Sequence, residues 1–127
     1  MIQVNELRVG NWVLLDTGHT LPQPHSIKPD DIAHIGNHTL PKTIIIEPIP
    51  LTPEILKKCG FHRCNNAWVM EGYENKSYSA WDFSIWNIKY TDEYIYHSAE
   101  YDVVLTSLHQ LQNLYFALTE KELNYKP

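Results

Sequence analysis

Cysteine and histidine residues are the first candidates for chemistry in this chain. Cys59, His62 and Cys64 lie within a stretch of six residues, and thiolate and imidazole groups are zinc ligands. A structural zinc site needs four ligands, however, and one loose pair of cysteines falls short of that set. His34 and His38 have helical spacing, but the glycine between them disfavours a helix that would present both. We therefore expect no metal site and no cofactor.

Motifs for catalysis are equally sparse. The sequence contains no G-x-S-x-G nucleophile elbow, no H-E-x-x-H motif and neither of the glycine-rich phosphate-binding motifs. Carboxylates such as Asp82 and Glu100 can converge across neighbouring strands, but acids on strands are mostly solvated. The sequence thus predicts a protein that is not an enzyme and has no catalytic residues.

Aromatic side chains are dense between residues 68 and 101 and give the sharpest hypothesis. Exposed aromatic rings can anchor a protein partner or stack on single-stranded bases. Base stacking needs cations nearby, whereas the segment from Glu71 to Asp102 carries seven acids against two lysines. Core packing should use most of the rings. We expect a protein-binding patch that includes Trp86, Tyr94 and Tyr96.

The polar face of a C-terminal helix is the second candidate surface. His109, Gln112 and Asn113, together with Gln110, form an uncharged stripe rich in amides. Such side chains can hydrogen-bond to a partner or to an adjacent loop of the same chain, and a solvated helix face is equally compatible with the pattern. His109, Gln112 and Asn113 complete the predicted binding set.

Nucleic-acid binding is the alternative function. The only basic cluster is Lys57, Lys58 and Arg63, which would contact phosphates. It would act with an N-terminal strand, opened by Gly10 and Asn11, that resembles the start of small SH3-like barrels. Because the net charge is −5, a protein is the favoured partner and nucleic acid the less favoured one.

Length and composition fit one domain over residues 1–127. A chain of 127 residues that is 43% hydrophobic and 20% charged can bury one continuous core. The first residues lack the basic and apolar segments of an export signal, and no apolar run approaches the ~18 residues that span a membrane. We therefore expect a cytoplasmic protein with reduced thiols and no membrane partner.

The first half of the chain predicts one strand, a proline-rich region and a short helix. The strand covers Leu7–Asp16, because its apolar residues end at a turn sequence. Seven of the eight prolines follow within residues 22–53, which predicts loops and short edge pieces. In that region we expect one helical turn at Pro29–Ala33 and a short buried strand at Thr43–Glu47. The middle helix then begins after Thr52 and ends before Gly60, with Phe61 folding back onto it.

The second half predicts a meander followed by a helix. Three strands are expected, namely Ala67–Glu71, Asp82–Tyr90 and Tyr94–Leu105. A capping box at Ser107 and Gln110 begins a helix that ends near Leu118, and a second box at Thr119 and Glu122 predicts one more turn before the chain frays from Tyr125. The sequence therefore predicts an α+β fold, an antiparallel β-meander with a small SH3-like N-terminal β region, one short middle helix and a C-terminal helix packed on the sheet.

Three blocks of the chain carry a resemblance to known proteins, namely Asn5–Val13, Leu51–Phe61 and Leu108–Thr119, of which the last is the most specific. Together they resemble a family of small uncharacterised proteins from Bacteroidetes and their prophages. The resemblance implies an accessory protein of a prophage or mobile element, and it transfers no catalytic residues. Taken with the missing catalytic motifs and the surplus of aromatic residues, it predicts a non-enzymatic accessory or protein-interaction protein.

Overall fold

The computed structural model describes residues 2, 4–41, 43–64, 67–70, 83–87, 93–97 and 102–127. The predicted α+β class is confirmed, since the described residues form helices and two antiparallel sheets. In these residues no helix is long and apolar enough to cross a membrane. In chain order the elements are a 3-10 helix Val4–Glu6, β1 Trp12–Asp16, β2 Gln23–Ser26, α1 Pro29–Gly36, β3 Ile45–Glu47, α2 Pro53–Lys58, β4 Phe61–Cys64, β5 Ala67–Met70, β6 Ser84–Asn87, β7 Tyr94–His97, β8 Asp102–Leu105 and α3 Leu108–Thr119.

The N-terminal sheet has the strand order β2-β1-β3, and both pairings are antiparallel. Strand β1 is shorter than predicted because the chain turns at Gly10, whose φ is +95°, and becomes extended only from Trp12. Strand β3 is also shorter than predicted, and of its three residues only Ile46 is buried. Ile46 packs with Val13 and Ile27 in a small core beneath this sheet.

Helix α1 is three residues longer than the predicted turn Pro29–Ala33. It runs from Pro29 to Gly36, and Ile32 and Ile35 pack against the core of the N-terminal sheet. Tertiary packing of this apolar pair explains why the helix continues beyond the predicted single turn. The helix ends at Gly36, so His38 lies beyond it.

Helix α2 confirms the prediction from its local signals. The Thr52 hydroxyl accepts a hydrogen bond from the Ile55 N–H at 3.2 Å, and Gly60 has the left-handed φ of +95° that favours glycine after a helix. Phe61 is buried in the same core as Leu56 of α2. It begins strand β4, which the sequence did not predict, and its ring packs at 5.9 Å from that of Phe83.

The second sheet is an antiparallel meander with the order β4-β5-β6-β7-β8. The predicted strand Tyr94–Leu105 was wrong, because its two ends are separate strands that pair with each other, Tyr94 opposite Leu105 and His97 opposite Asp102. The predicted strands Ala67–Glu71 and Asp82–Tyr90 are present as β5 and β6, while residues 71, 82 and 88–90 lie outside the described ranges.

The main core lies between the meander and helix α3, so the C-terminal helix packs on the sheet as predicted. Leu108, Leu111 and Tyr115 of α3 are buried against residues that include Phe83 and Leu105. Strand β1 also contributes to this core through Trp12 and Leu14. The main core therefore connects the two sheets.

The C-terminal tail differs from its prediction in two ways. No helical turn follows Thr119; instead its hydroxyl donates to the Tyr115 carbonyl at 2.7 Å and accepts from the Lys121 N–H at 3.2 Å. Tyr125 does not fray, since it is buried and its ring meets that of Trp12 edge-on at 5.4 Å. Burial of this aromatic ring holds the tail against β1.

Candidate functional site

The most concentrated polar chemistry of the described residues lies where the N-terminal segment from Glu6 to Trp12 meets helix α3. Asn113 is at its centre, because its side-chain oxygen accepts from Arg8 Nε and Asn11 Nδ2, both at 2.9 Å. The Asn113 amide nitrogen donates to the Glu6 carbonyl at 2.8 Å. Asn11 is fully buried, and its side chain also accepts from the Arg8 N–H at 2.7 Å. The side-chain amides of Asn11 and Asn113 thus form hydrogen bonds with backbone groups of a segment that is not part of a sheet.

Gln112 performs the same task one residue earlier in the helix. Its side-chain oxygen accepts from the Trp12 N–H at 2.8 Å, and its amide nitrogen donates to the Gly10 carbonyl at 3.3 Å. The side chain is 1% exposed. Gln112 therefore joins the beginning of β1 to α3 from within the protein.

Arg8 closes this polar interface at its outer rim. Its guanidinium pairs with the Glu122 carboxylate at 2.8 Å and lies 4.4 Å from the centre of the Phe116 ring. The pair is partly solvated, so solvent screens its charge. Arg8 and Glu122 neutralise each other beside the amide cluster.

A serine, a histidine and a glutamate form a chain at the start of α3. Ser107 Oγ is 3.2 Å from His109 Nδ1, and His109 Nε2 is 3.4 Å from Glu6 Oε1. Because a carboxylate only accepts, Nε2 carries the proton and the serine hydroxyl donates to Nδ1. Burial lowers the pKa of His109, and the hydrogen bond and charge of Glu6 oppose that shift in part. The imidazole is therefore neutral at neutral pH.

These residue types resemble those of a hydrolytic triad, but the surroundings favour a structural role. Ser107 and His109 line a surface groove but are only 3% and 2% exposed, so little of either side chain is open to a substrate. Ser107 is also the N-cap of α3, in the predicted capping box with Gln110. The chain of hydrogen bonds thus orients the first turn of α3 against the N-terminal segment.

Two surface grooves lie next to the hydrogen-bonded residues Glu6 and His109. One, of about 440 Å³, lies between strand β8 and helix α3 and is lined by Val103, Val104, Leu105 and Leu114. The other, of about 330 Å³, lies beside the prolines that precede α2. Both grooves are also lined by Glu6, His109 and Gln110.

The outer face of the meander carries an apolar row that ends at the same strand. Trp86 is opposite Ile95, and Ile95 is opposite Val104, so these three side chains share a face. Trp86 and Val104 are 39% and 49% exposed. Strand β8 is the last of the described strands in this sheet, so the row ends at β8 within the described residues.

The structure separates the six predicted binding residues into different surroundings. Trp86 is exposed, whereas Tyr94 is buried in the main core and Tyr96 is half-buried, its ring stacked at 5.3 Å from Phe83. His109 and Gln112 are buried, and Asn113 is half-buried. The amide stripe therefore hydrogen-bonds to a segment of the same chain, which was one of the alternatives that its sequence left open.

Other candidates from the sequence lie apart from this region. Lys57 and Lys58 end α2, and Arg63 lies on β4, at the opposite edge of the meander from β8. Burial raises the pKa of the Cys59 thiol to about 12. The Nδ1 atom of His34 forms a hydrogen bond with the Thr39 hydroxyl at 2.8 Å. His34 and His38 line a separate groove of about 460 Å³ with apolar neighbours. Within the described ranges no three potential ligands form a metal-binding group.

Sequence reasoning missed Glu6, Asn11 and Val104. Asn11 carries no local signal of this role, because its partner Asn113 lies 102 positions later. Val104 carries no such signal, since a valine in a strand is as compatible with burial as with exposure. Comparisons with protein-family models, with curated proteins and with solved structures found no match.

Proposed function

We propose that this protein is a non-enzymatic interaction module that binds an extended segment of another protein along strand β8. The observation that carries the proposal is the apolar row of Trp86, Ile95 and Val104, which ends at a sheet edge beside a groove. A sheet edge offers backbone hydrogen bonds to an added strand, and pockets beside it give specificity. Val104 belongs to the row and also lines the groove, so a segment added at this edge would contact both.

The alternation of β8 supports this mode of binding. Val103 and Leu105 face α3, while Val104 faces outward, and all three line the groove. The groove therefore follows the edge of the strand rather than one face of the sheet. In an antiparallel pair every second residue directs its N–H and C=O away from its partner, so β8 offers such groups to an added strand.

The setting we propose is that of an accessory protein of a prophage or mobile element, acting in the cytoplasm. Its basis is the resemblance of three sequence blocks to small proteins of Bacteroidetes prophages. The first and last of these blocks contact each other through Arg8, Asn11 and Asn113. The first and last blocks of this chain therefore form one interface.

Selection from a phage-displayed library of random peptides tests the binding mode. Lysine on an edge strand blocks strand addition, so Val104→Lys should bind the selected peptides at least about ten-fold more weakly than the unchanged protein. Val9→Lys is the matched control, because Val9 is 50% exposed and lies in a turn outside both grooves. Equal binding by the wild type and Val104→Lys, or no enrichment of peptides, would overturn the proposal.

Nucleic-acid binding is kept as a second candidate because one contact enlarges the basic cluster. The Lys126 N–H donates to the Lys58 carbonyl at 3.3 Å, which brings a further exposed lysine to Lys57, Lys58 and Arg63. Titration with labelled single- and double-stranded DNA and RNA at low salt tests it. Dissociation constants weaker than the non-specific level of about 10⁻⁴ M would rule this candidate out.

A further inference from the structure

We infer that the segment bound by β8 carries a hydrogen-bond donor two residues after the apolar side chain that lies beside Val104. The donor is the side chain of lysine, arginine, serine or threonine, and its acceptor is the Asp102 carboxylate. This inference rests on the proposed function, since it specifies the partner of the same strand. It commits to a segment of another protein that adds to the meander as a strand next to β8.

Asp102 lies on the outer face of the meander, one cross-strand row away from Val104. Asp102 is opposite His97, and Val104 is opposite Ile95, so the two pairs are neighbours on one face. The side chains of Asp102 and His97 are each 54% exposed. A strand added about 4.8 Å from β8 would extend both rows. One of its side chains would therefore lie beside Val104, and the next one on the same face beside Asp102.

His97 fixes the orientation of the Asp102 carboxylate. His97 Nδ1 is 2.7 Å from Asp102 Oδ1, and Nδ1 carries the proton because a carboxylate only accepts. The His97 ring also meets the Trp86 ring edge-on, with the ring centres 6.5 Å apart. A carboxylate has about four acceptor positions, and the bond to His97 uses one of them. The Asp102 carboxylate is thus oriented by contacts with its own sheet and can accept from a further donor.

A donor beside Asp102 is favoured over an apolar or an acidic side chain. Valine at this position would displace water from the carboxylate and offer no hydrogen bond in return. Glutamate would place a like charge directly across the strands. Serine and threonine keep the carboxylate hydrogen-bonded, and lysine and arginine add the opposite charge. The partner is therefore specified at two positions of one face, an apolar one and a donor.

The order of these two side chains follows from the direction of the added strand. Every described pairing of the meander is antiparallel, and antiparallel pairs are slightly more stable per residue than parallel ones. A segment antiparallel to β8 passes Val104 before it reaches Asp102. The apolar residue therefore comes first in the partner, and the donor follows two residues later.

A second copy of the chain does not supply this donor. If two β8 strands paired with Val104 opposite Val104, Asp102 would lie opposite Thr106. The Thr106 hydroxyl donates to Gln110 Oε1 at 3.2 Å, and the Thr106 carbonyl accepts from the Leu51 N–H at 3.1 Å. The neighbouring register that keeps the same faces together would place Asp102 opposite Val104, which has no donor. The occupant is therefore a different protein, and self-association is an outcome that would refute the inference.

The probes are capped synthetic peptides of about ten residues, which span ~33 Å when extended. Four of them are identical except at the position two residues after a fixed valine, which is lysine, threonine, valine or glutamate. A fifth peptide reverses the order and has the lysine two residues before the valine. Binding is measured by fluorescence polarisation with the wild type, Val104→Lys and Asp102→Asn. Asp30→Asn is the charge-matched control, because Asp30 is exposed on α1, outside the meander.

We expect the lysine peptide to bind the wild type about five-fold more tightly than the glutamate peptide, as the energies of exposed cross-strand charge pairs imply. The threonine peptide should bind more tightly than the valine peptide, which has the same shape and lacks the hydroxyl. Asp102→Asn should reduce the lysine-to-glutamate ratio to less than about two-fold, while Asp30→Asn should leave it unchanged. The reversed peptide should bind more weakly than the lysine peptide. Thermal unfolding of each variant verifies that it is folded.

Several outcomes would overturn the inference, and they separate it from the proposed function. Equal binding of the lysine and glutamate peptides, with Val104→Lys still weakening both, would refute the donor and leave the proposed function standing. A ratio that Asp102→Asn does not change would refute the assignment to Asp102, and equal binding of the reversed peptide would refute the order.

Failure of the proposed function has a different result. Binding that Val104→Lys does not change, or no binding of any peptide, would refute the use of β8 and the inference with it. A wild-type chain that sediments as a dimer while Val104→Lys sediments as a monomer would show that a second copy occupies the edge.

Discussion

Replacement of Gln112 by leucine isolates the contribution of the buried amide contacts to the stability of the fold. Leucine has a similar volume and a similar helix propensity, so the substitution leaves α3 and its packing nearly intact. It removes the acceptor of the Trp12 N–H at 2.8 Å and the donor to the Gly10 carbonyl at 3.3 Å. The Trp12 N–H and the Gly10 carbonyl then have no hydrogen-bond partner at position 112, because a leucine side chain has no polar atom.

The expected loss of stability follows from these two groups. A buried polar group left without a partner costs about 1–3 kcal/mol, and the shorter bond to Trp12 should account for most of the loss. We expect the free energy of unfolding to fall by about 2–4 kcal/mol, out of the 5–15 kcal/mol typical of a domain. With a urea dependence of about 2 kcal/mol per molar, the midpoint should fall by about 1–2 M.

Urea unfolding followed by tryptophan fluorescence measures this change. Gln23→Leu is the matched control, because Gln23 is exposed and its amide nitrogen donates only to the nearby Leu21 carbonyl at 3.2 Å. The control should change the free energy of unfolding by less than about 0.5 kcal/mol. If Gln112→Leu were as stable as this control, the conclusion that Gln112 joins β1 to α3 would be wrong.

Three further predictions concern single residues. Burial lowers the pKa of His109 in the native protein below its value in the unfolded chain, so the free energy of unfolding should fall as the pH drops below about 6.5. His109→Gln should remove this pH dependence above about pH 5. Unfolding measured at a series of pH values tests both expectations. The second prediction concerns Cys59, whose thiol pKa is raised to about 12 by burial. In a Cys64→Ser variant, Cys59 should react with iodoacetamide at pH 8 more than about a thousand-fold more slowly in the native protein than in the unfolded protein. Comparable rates in the two states would contradict the burial of Cys59. Thr52→Ala should lose about 1 kcal/mol of unfolding free energy through loss of the α2 cap, while Thr20→Ala in an exposed loop should lose almost none.

Local interactions explain which elements were predictable. The bounds of α2 and the beginning of α3 depend on contacts between residues three positions apart, such as the Thr52 hydroxyl with the Ile55 N–H and the Gln110 side chain with the Ser107 N–H at 3.3 Å. Such contacts form in the same way in any surroundings. Sequence signals therefore identified both helices.

Long-range packing explains the elements that were wrong. Helix α1 continues beyond its first turn because Ile32 and Ile35 find a core formed by β1 and β3. The tail from Thr119 does not form a turn, since Glu122 pairs with Arg8 and Tyr125 packs on Trp12. None of these partners is close in sequence.

The candidate site shows the same division. The aromatic density of the meander indicated a surface near Trp86, and Trp86 is exposed. The number of aromatic residues did not indicate that Trp86 is exposed and Tyr94 buried. That difference depends on the face of the sheet on which each side chain lies. Val104 became a candidate only when the strand register set it in a row with Ile95 and Trp86.

By itself the sequence determined the α+β class, the helix caps and the amphipathic face of α3, because each depends on residue types and spacings within a few positions. Only the tertiary structure decided which strand forms the edge, which aromatic rings reach solvent and whether the amides of α3 face a partner or the protein itself. Those outcomes depend on contacts such as that of Asn11 with Asn113, which lie 102 positions apart, so the free energy of the contact is gained only after a long loop has been closed.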